Sequence, residues 1–130
     1  QLSEKVILLG SIPGDQLTLW MNACDVFVLP SLNEGNPTVM FETLGCGKPF
    51  VGTGVGGVPE IITSDDYGLL VALADPEDLA EKILAALDGE WNRCKILQYA
   101  ERYTWENIAK EVMSVYEEVM GGSLSVFEKY

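Results

Sequence analysis

The sequence predicts an α/β fold in which a parallel sheet is flanked by helices. Three observations predict it. Val6–Gly10, Asp25–Leu29, Phe50–Thr53 and Gly68–Leu73 are short and almost wholly apolar, as strands buried on both faces of a parallel sheet must be. Helical patterns lie between them, joined by short loops, and that alternation is the mark of a layered α/β domain. At 48% hydrophobic residues, a chain of 130 can bury a sizeable core, which makes it one domain or a piece of one.

Taken in order, Val6–Gly10 is the first expected strand, and Asp15–Ala23 follows as a helix carrying Leu17, Leu19, Trp20 and Met21. Asp25–Leu29 is the second strand, and a helix opens at Pro37 and runs to Cys46. Asn36 is its expected N-cap, with Pro37 at the first helical position, where the missing N–H costs nothing. Phe50–Thr53 is the third strand and Pro59–Ile62 a short turn of helix. After the strand at Gly68–Leu73, Asp75 caps a helix with Pro76 in its first turn and Leu79, Ile83, Leu84 and Leu87 on its apolar face. Two helices close the chain, Trp91–Arg102 and Trp105–Met120, the last capped by Thr104 and stopped by Gly121-Gly122. Trp20, Trp91 and Trp105 fall at helical spacing among apolar residues and read as packing anchors. Residues 1–122 form the expected domain, and 123–130 a tail without period.

Composition removes several functions. Eight Lys and Arg face twenty Asp and Glu, a net charge of −12, and such a surface repels nucleic acid and anionic lipid. Histidine is absent, so Ser–His and Cys–His nucleophiles, a His base and His-ligated metals are excluded. Cys24, Cys46 and Cys94 are an odd number without a C-x-x-C pair; they read as buried free thiols in a reducing compartment. Asn36-Pro37-Thr38 fails as a glycosylation acceptor because of its proline. No apolar run reaches the roughly 18 residues of a membrane span, and no signal peptide is expected from the opening residues. A cytoplasmic location is the expectation. Asp65-Asp66 is a pair of solvated loop acids rather than a metal site, having no D-x-D spacing.

Chemistry concentrates in "PSLNEGNPTVMFETLGCGKP", residues 30–49. Ligands of open parallel sheets sit beyond the carboxyl ends of the strands, and this segment leaves one such end to start a helix. The amides of Thr38 and Val39 have no intrahelical partner, and the helix dipole adds about half a positive charge there. Phosphate is the commonest occupant of such a site. Glu34 before the helix and Glu42 within it need another purpose. Thr38, Glu42 and Gly45 share one face, while Met40, Phe41 and Leu44 form the apolar one. A carboxylate readily accepts hydrogen bonds from hydroxyls. A ligand with hydroxyls on both sides of a diphosphate satisfies both acids: a nucleotide-sugar. Solvation alone also accounts for two exposed glutamates, and spacing does not choose between these readings. "GTGVGG", residues 52–57, fits G-x-G-x-x-G after a strand, but Pro59 and "TSDDYG" cut the following helix short.

The segment "PSLNEGNPTVMFETLGCGKPFVGTGVGGVPEII", followed by "YGLLV", resembles the retaining glycosyltransferases of family four. These are GT-B enzymes marked by an E-x7-E motif, and seven residues separate Glu34 from Glu42. "VILLGSIPGDQLTLWMNACDVFVLPS" is similar to the blocks that precede the motif, and "YTWENIAKEVMSVYEEVM" to the closing helix; the likeness runs from about Val6 to Met120. It implies the C-terminal, donor-binding half of a GT-B enzyme, with a Rossmann-like parallel sheet and flanking helices. Glu34 would act at the donor sugar near the reacting centre. Gly35, Asn36, Thr38 and Val39 would wrap sugar and diphosphate, Glu42 would hold the ribose hydroxyls, and Ser11-Ile12 would line the base. Gly56-Gly57 would approach the donor sugar or acceptor closely. The implied donor is a UDP- or GDP-sugar used in glycan biosynthesis, with no metal and no cofactor.

Departures from the pattern carry expectations of their own. The usual E-G-F-G core reads Glu34-Gly35-Asn36-Pro37, so one amide donor is gone and an aromatic is replaced; Thr43 and Gly45 stand where alanines are usual. The family's diphosphate-binding Arg and Lys, its first two donor-domain strands and its acceptor domain all fall upstream of Gln1. We therefore expect no appreciable transferase activity from this chain alone, since one missing electrostatic donor typically costs about 2.7–4 kcal/mol of barrier. In the intact enzyme a peripheral position at the inner membrane face is compatible with the family. Without the first strands, Val6–Gly10 is expected either to slide beside Asp25–Leu29 or to leave an edge through which the chain self-associates. A GT-B nucleotide-sugar epimerase shares the architecture, though the absence of histidine disfavours it; a dinucleotide-binding module without catalysis is the rival of another class.

Overall fold

Three of the four apolar runs pair into one sheet. The computed structural model describes residues 4–120. Its elements run α1 (Gly14–Ala23), β1 (Phe27–Leu29), α2 (Thr38–Gly45), β2 (Phe50–Thr53), α3 (Val58–Ile61), β3 (Gly68–Val71), α4 (Pro76–Asp88), α5 (Arg93–Ala100), a 3-10 turn (Glu101–Tyr103) and α6 (Trp105–Val119). The strands are parallel in the order β1-β2-β3, with Phe27 opposite Phe50 and Phe50 opposite Gly68. Every residue of β2 is buried, as the continuous apolar reading of a central parallel strand requires.

Alternation along the strands sorts the interior onto two faces. Phe27, Leu29, Phe50 and Leu70 point to one side, where Met40 and Leu44 of α2, Val58 and Ile62 around α3, and Ile96 and Tyr99 of α5 close over them. Val26, Val28, Val51, Leu69 and Val71 point to the other, against Leu79, Ile83 and Ala86 of α4. Helices cover both faces, the architecture expected from the sequence. Trp91 packs against both clusters.

Residues 6–10 form no strand. Val6, Ile7, Leu8 and Leu9 are 57, 80, 92 and 47% exposed, and β1 pairs with β2 alone, so the expected slide beside β1 does not occur. A strand exists only where a neighbour satisfies its N–H and C=O groups, and no described segment lies there to do so.

The helices keep close to expectation. Asp75 caps α4 through its side chain at the amides of Glu77 and Asp78, and Thr104 caps α6 at the Asn107 amide. Leu84 and Leu87, expected on the covered face of α4, are 62 and 53% exposed; Ala86 takes the buried position. The expected helix from Trp91 to Arg102 starts two residues later, capped by the Asn92 side chain, and tightens into a 3-10 turn at its end. Of the three tryptophans only Trp91 anchors packing, its indole N–H donating to the Ala86 carbonyl at 2.7 Å; Trp20 and Trp105 are 48 and 89% exposed. The cysteines are free, as expected, but only Cys46 is buried, while Cys94 stands exposed on α5. Among the described residues no helix is long and apolar enough to cross a membrane. Gly121-Gly122 and the tail at 123–130 lie outside the described residues.

Candidate functional site

Two loops leave the carboxyl ends of adjacent parallel strands, residues 30–37 after β1 and 54–57 after β2. Parallel pairing places both at one edge of the sheet, where ligands of such folds bind. The two loops are joined. The Gly57 amide donates to the Gly35 carbonyl at 2.6 Å. Gly56 lies at φ +55° with its α-carbon so near that any side chain would run into the Glu34 carbonyl oxygen. The glycine pair is thus fixed against the Glu34–Gly35 backbone, and a side chain at Gly57 would meet Gly35 and Asn36 as well. The dinucleotide reading of residues 52–57 finds no support in the helix that follows, since α3 has only four residues.

The start of α2 differs from expectation by one residue. Pro37, not Asn36, holds the N-cap position, at φ −70° and ψ 118°, and the helix begins at Thr38. Proline fixes its own φ and pushes the residue before it out of the helical region, so Asn36 remains in the loop. The Pro37 carbonyl accepts from the Met40 amide at 3.1 Å. No side chain caps this terminus, and among the described residues the Thr38 and Val39 amides have no hydrogen-bond partner. The expected pair of free amides at the positive end of the dipole is present.

Burial along α2 separates its faces. Met40, Thr43 and Leu44 are buried, while Thr38, Glu42 and Gly45 are exposed. Phe41 is half-buried against the Tyr103 ring, with centroids 5.0 Å apart. Thr43 satisfies its hydroxyl by donating to the Val39 carbonyl at 2.7 Å. Glu42 therefore stands on the open face, one turn beyond the free amides. Glu34 is half-buried, and one carboxylate oxygen accepts from the Ser31 hydroxyl at 2.6 Å. Gly35 and Asn36 are exposed between them. The ledge carries two carboxylates and no side-chain cation of its own. The positive partial charge it offers an anion is that of the backbone amides, while its carboxylates can accept from hydroxyl groups.

The remaining expected site residues separate from this ledge. Ser11 is exposed and Ile12 half-buried at the entrance to α1, and among the described residues no hydrogen bond ties either to the loops at 30–37 and 54–57. Sequence reasoning missed Ser31. Its S-x-x-E spacing to Glu34 is a pattern familiar from helix capping, here used between two side chains in a loop. A cavity of about 360 Å³ lies elsewhere, lined by Tyr67, Lys95, Gln98, Tyr99 and Arg102. Tyr67 immediately precedes β3, so this cavity is at the amino end of the sheet, opposite the ledge. Its tyrosines are engaged already: Tyr99 stacks on Tyr67 and donates to the Ile61 carbonyl. Burial, with the Tyr99 hydroxyl bond second, pushes the Tyr103 phenol up to about 12. Lys95 is bound to Asp66 at 2.6 Å.

The chain is similar to known proteins in sequence and in fold. The chain matches the model of the glycosyl transferases group 1 over residues 1–89. It is 35% identical over 116 residues to an uncharacterized glycosyltransferase of Methanocaldococcus jannaschii, a match covering 86% of this chain and 33% of the relative. A D-inositol 3-phosphate glycosyltransferase of Corynebacterium urealyticum is 33% identical over 119 residues, covering 88% and 28% respectively. Sucrose-phosphate synthase from Thermosynechococcus elongatus superposes with a TM-score of 0.76 at 30% identity, over 94% of this chain and 32% of that one. The chain spans about a third of the length of these relatives. With most of its length matched by the family model, the chain belongs to the glycosyl transferases group 1 family.

Proposed function

We propose that this chain is the donor-binding part, residues 1–122, of a retaining GT-B glycosyltransferase of family four. In the intact protein a glycosyl unit passes from a nucleoside-diphosphate sugar to an acceptor hydroxyl. The bond from the anomeric carbon to the diphosphate breaks, a bond to the acceptor oxygen forms, and the anomeric configuration is kept. The observation that carries this reading is the uncapped start of α2, its free amides flanked by Glu34 and Glu42 at the E-x7-E spacing.

In this reading the Thr38 and Val39 amides take the diphosphate, and Gly35 and Asn36 close over the sugar. Glu42 accepts from the ribose hydroxyls, Glu34 from the donor sugar beside the reacting bond, and Gly56-Gly57 shape the wall behind it. Ser11 and Ile12 line the base only if the link before α1 draws toward the ledge when the nucleotide binds. The leaving diphosphate needs more positive charge than two amides offer, and the acceptor needs a surface to hold it. Both come from parts of the intact protein outside this chain, so the chain alone binds donor without turnover. We place the protein in the cytoplasm, on the strength of its unpaired thiols.

Calorimetric titration with UDP-glucose and GDP-mannose tests the reading. One of the two binds, and Glu42→Ala weakens it about tenfold or more, as expected for hydrogen bonds to a charged group. Tight binding of NAD instead, or donor binding indifferent to Glu42, overturns it.

A further inference from the structure

We propose that Ser31 is a positioning residue for the donor sugar, acting through Glu34. The inference rests on the reading that Glu34 meets that sugar. Glu34 is held from two directions. Its backbone is fixed by the neighbouring loop, because the Gly57 amide bonds the Gly35 carbonyl at 2.6 Å and Gly56 leaves no space beside the Glu34 carbonyl. Behind it, Pro37 is buried at the N-cap position of α2. What remains free is the side chain, with its three rotatable bonds.

The Ser31 hydroxyl removes that freedom. It donates to one Glu34 carboxylate oxygen at 2.6 Å, a length typical of a charge-assisted bond. Both residues are half-buried, so solvent competes less for the bond than it would on the open ledge. A carboxylate offers about four acceptor positions. Ser31 takes one and aims the other oxygen, which is left whole for a sugar hydroxyl. Ser31 thereby sets where that hydroxyl must lie, and so contributes to which sugar is held, without touching it.

The experiment compares the 130-residue chain and its variants by calorimetry with UDP and UDP-glucose, and with GDP and GDP-mannose. The ratio of affinities, sugar conjugate over bare diphosphate, isolates the sugar's share. Ser31→Ala lowers this ratio by about three- to tenfold, the range for one ordinary net hydrogen bond, because the Glu34 carboxylate is left in place and only loses its aim; diphosphate affinity and thermal unfolding stay unchanged. Ser31→Thr, which keeps the hydroxyl, restores the ratio. On a Glu34→Ala background Ser31→Ala has no further effect. An unchanged ratio, an equal loss for diphosphate and conjugate, or an additive effect without Glu34 overturns the proposal. If Glu42→Ala weakens binding while Ser31→Ala leaves the ratio alone, this inference falls and the donor-site reading stands. If no nucleotide or conjugate binds, both fall together.

Discussion

At Gly56 the backbone turns to φ +55°, and the Glu34 carbonyl oxygen lies where a β-carbon would project. An L-residue there bears the left-handed penalty of roughly 1–2 kcal/mol, and its β-carbon must push a backbone atom aside rather than a flexible side chain. Gly56→Ala is therefore expected to destabilise the chain by about 2–4 kcal/mol in urea unfolding, a range set by strain plus overpacking, and to lose donor binding along with it. Glu34 and Glu42 were legible in the sequence as candidates, from the seven residues between them and the likeness of the surrounding motif. The sequence did not show why Gly56-Gly57 must be glycine. A pair of glycines is compatible with a loose turn or a tight contact, and only the approach of a loop some twenty residues away decides between them. Ser31 stayed hidden for a related reason: a serine three residues before a glutamate has many local partners, and its bond depends on the exact path of the loop.

Among the elements, α2 has one face buried in the core and the other open. Leu44 is fully buried in the cluster with Met40, Phe50 and Ile96, while Val115 on α6 is 58% exposed. Leu44→Ala is expected to cost about 2–5 kcal/mol, and Val115→Ala less than about 0.5 kcal/mol, measured by the shift in urea midpoint. A Val115 effect as large as that of Leu44 would mean that α6 packs on the domain in solution. The periodicity of α2 and α4 was legible because each has an apolar stripe that meets the sheet. The start of α2 was misplaced by one residue because Pro37 serves equally well as last loop residue and first helical one. For α6 the stripe was legible too, yet no residue of α6 is buried. A pattern shows that a face is apolar and is silent on what covers it.

For the molecule as a whole, apolar exposure and charge oppose each other. Residues 6–9, Leu19 and Trp20 of α1, and Val112, Val115, Tyr116 and Val119 of α6 leave apolar surface open, which favours association. The net charge of −12 resists it. Salt screens the repulsion and spares the attraction, so the sedimentation coefficient is expected to rise with ionic strength between roughly 0.02 and 0.5 M; one that stays flat at the monomer value contradicts this. The parallel sheet and the helices on both its faces could be foreseen from alternation alone. Residues 6–10 could not, because a strand belongs to its neighbours as much as to itself. Trp91 has a wider effect. Its ring rests on both apolar clusters, and its N–H ties it to α4. Core material above and below the sheet is riveted through one indole, so neither half can melt and leave the other standing: heat should take the domain apart in a single cooperative step.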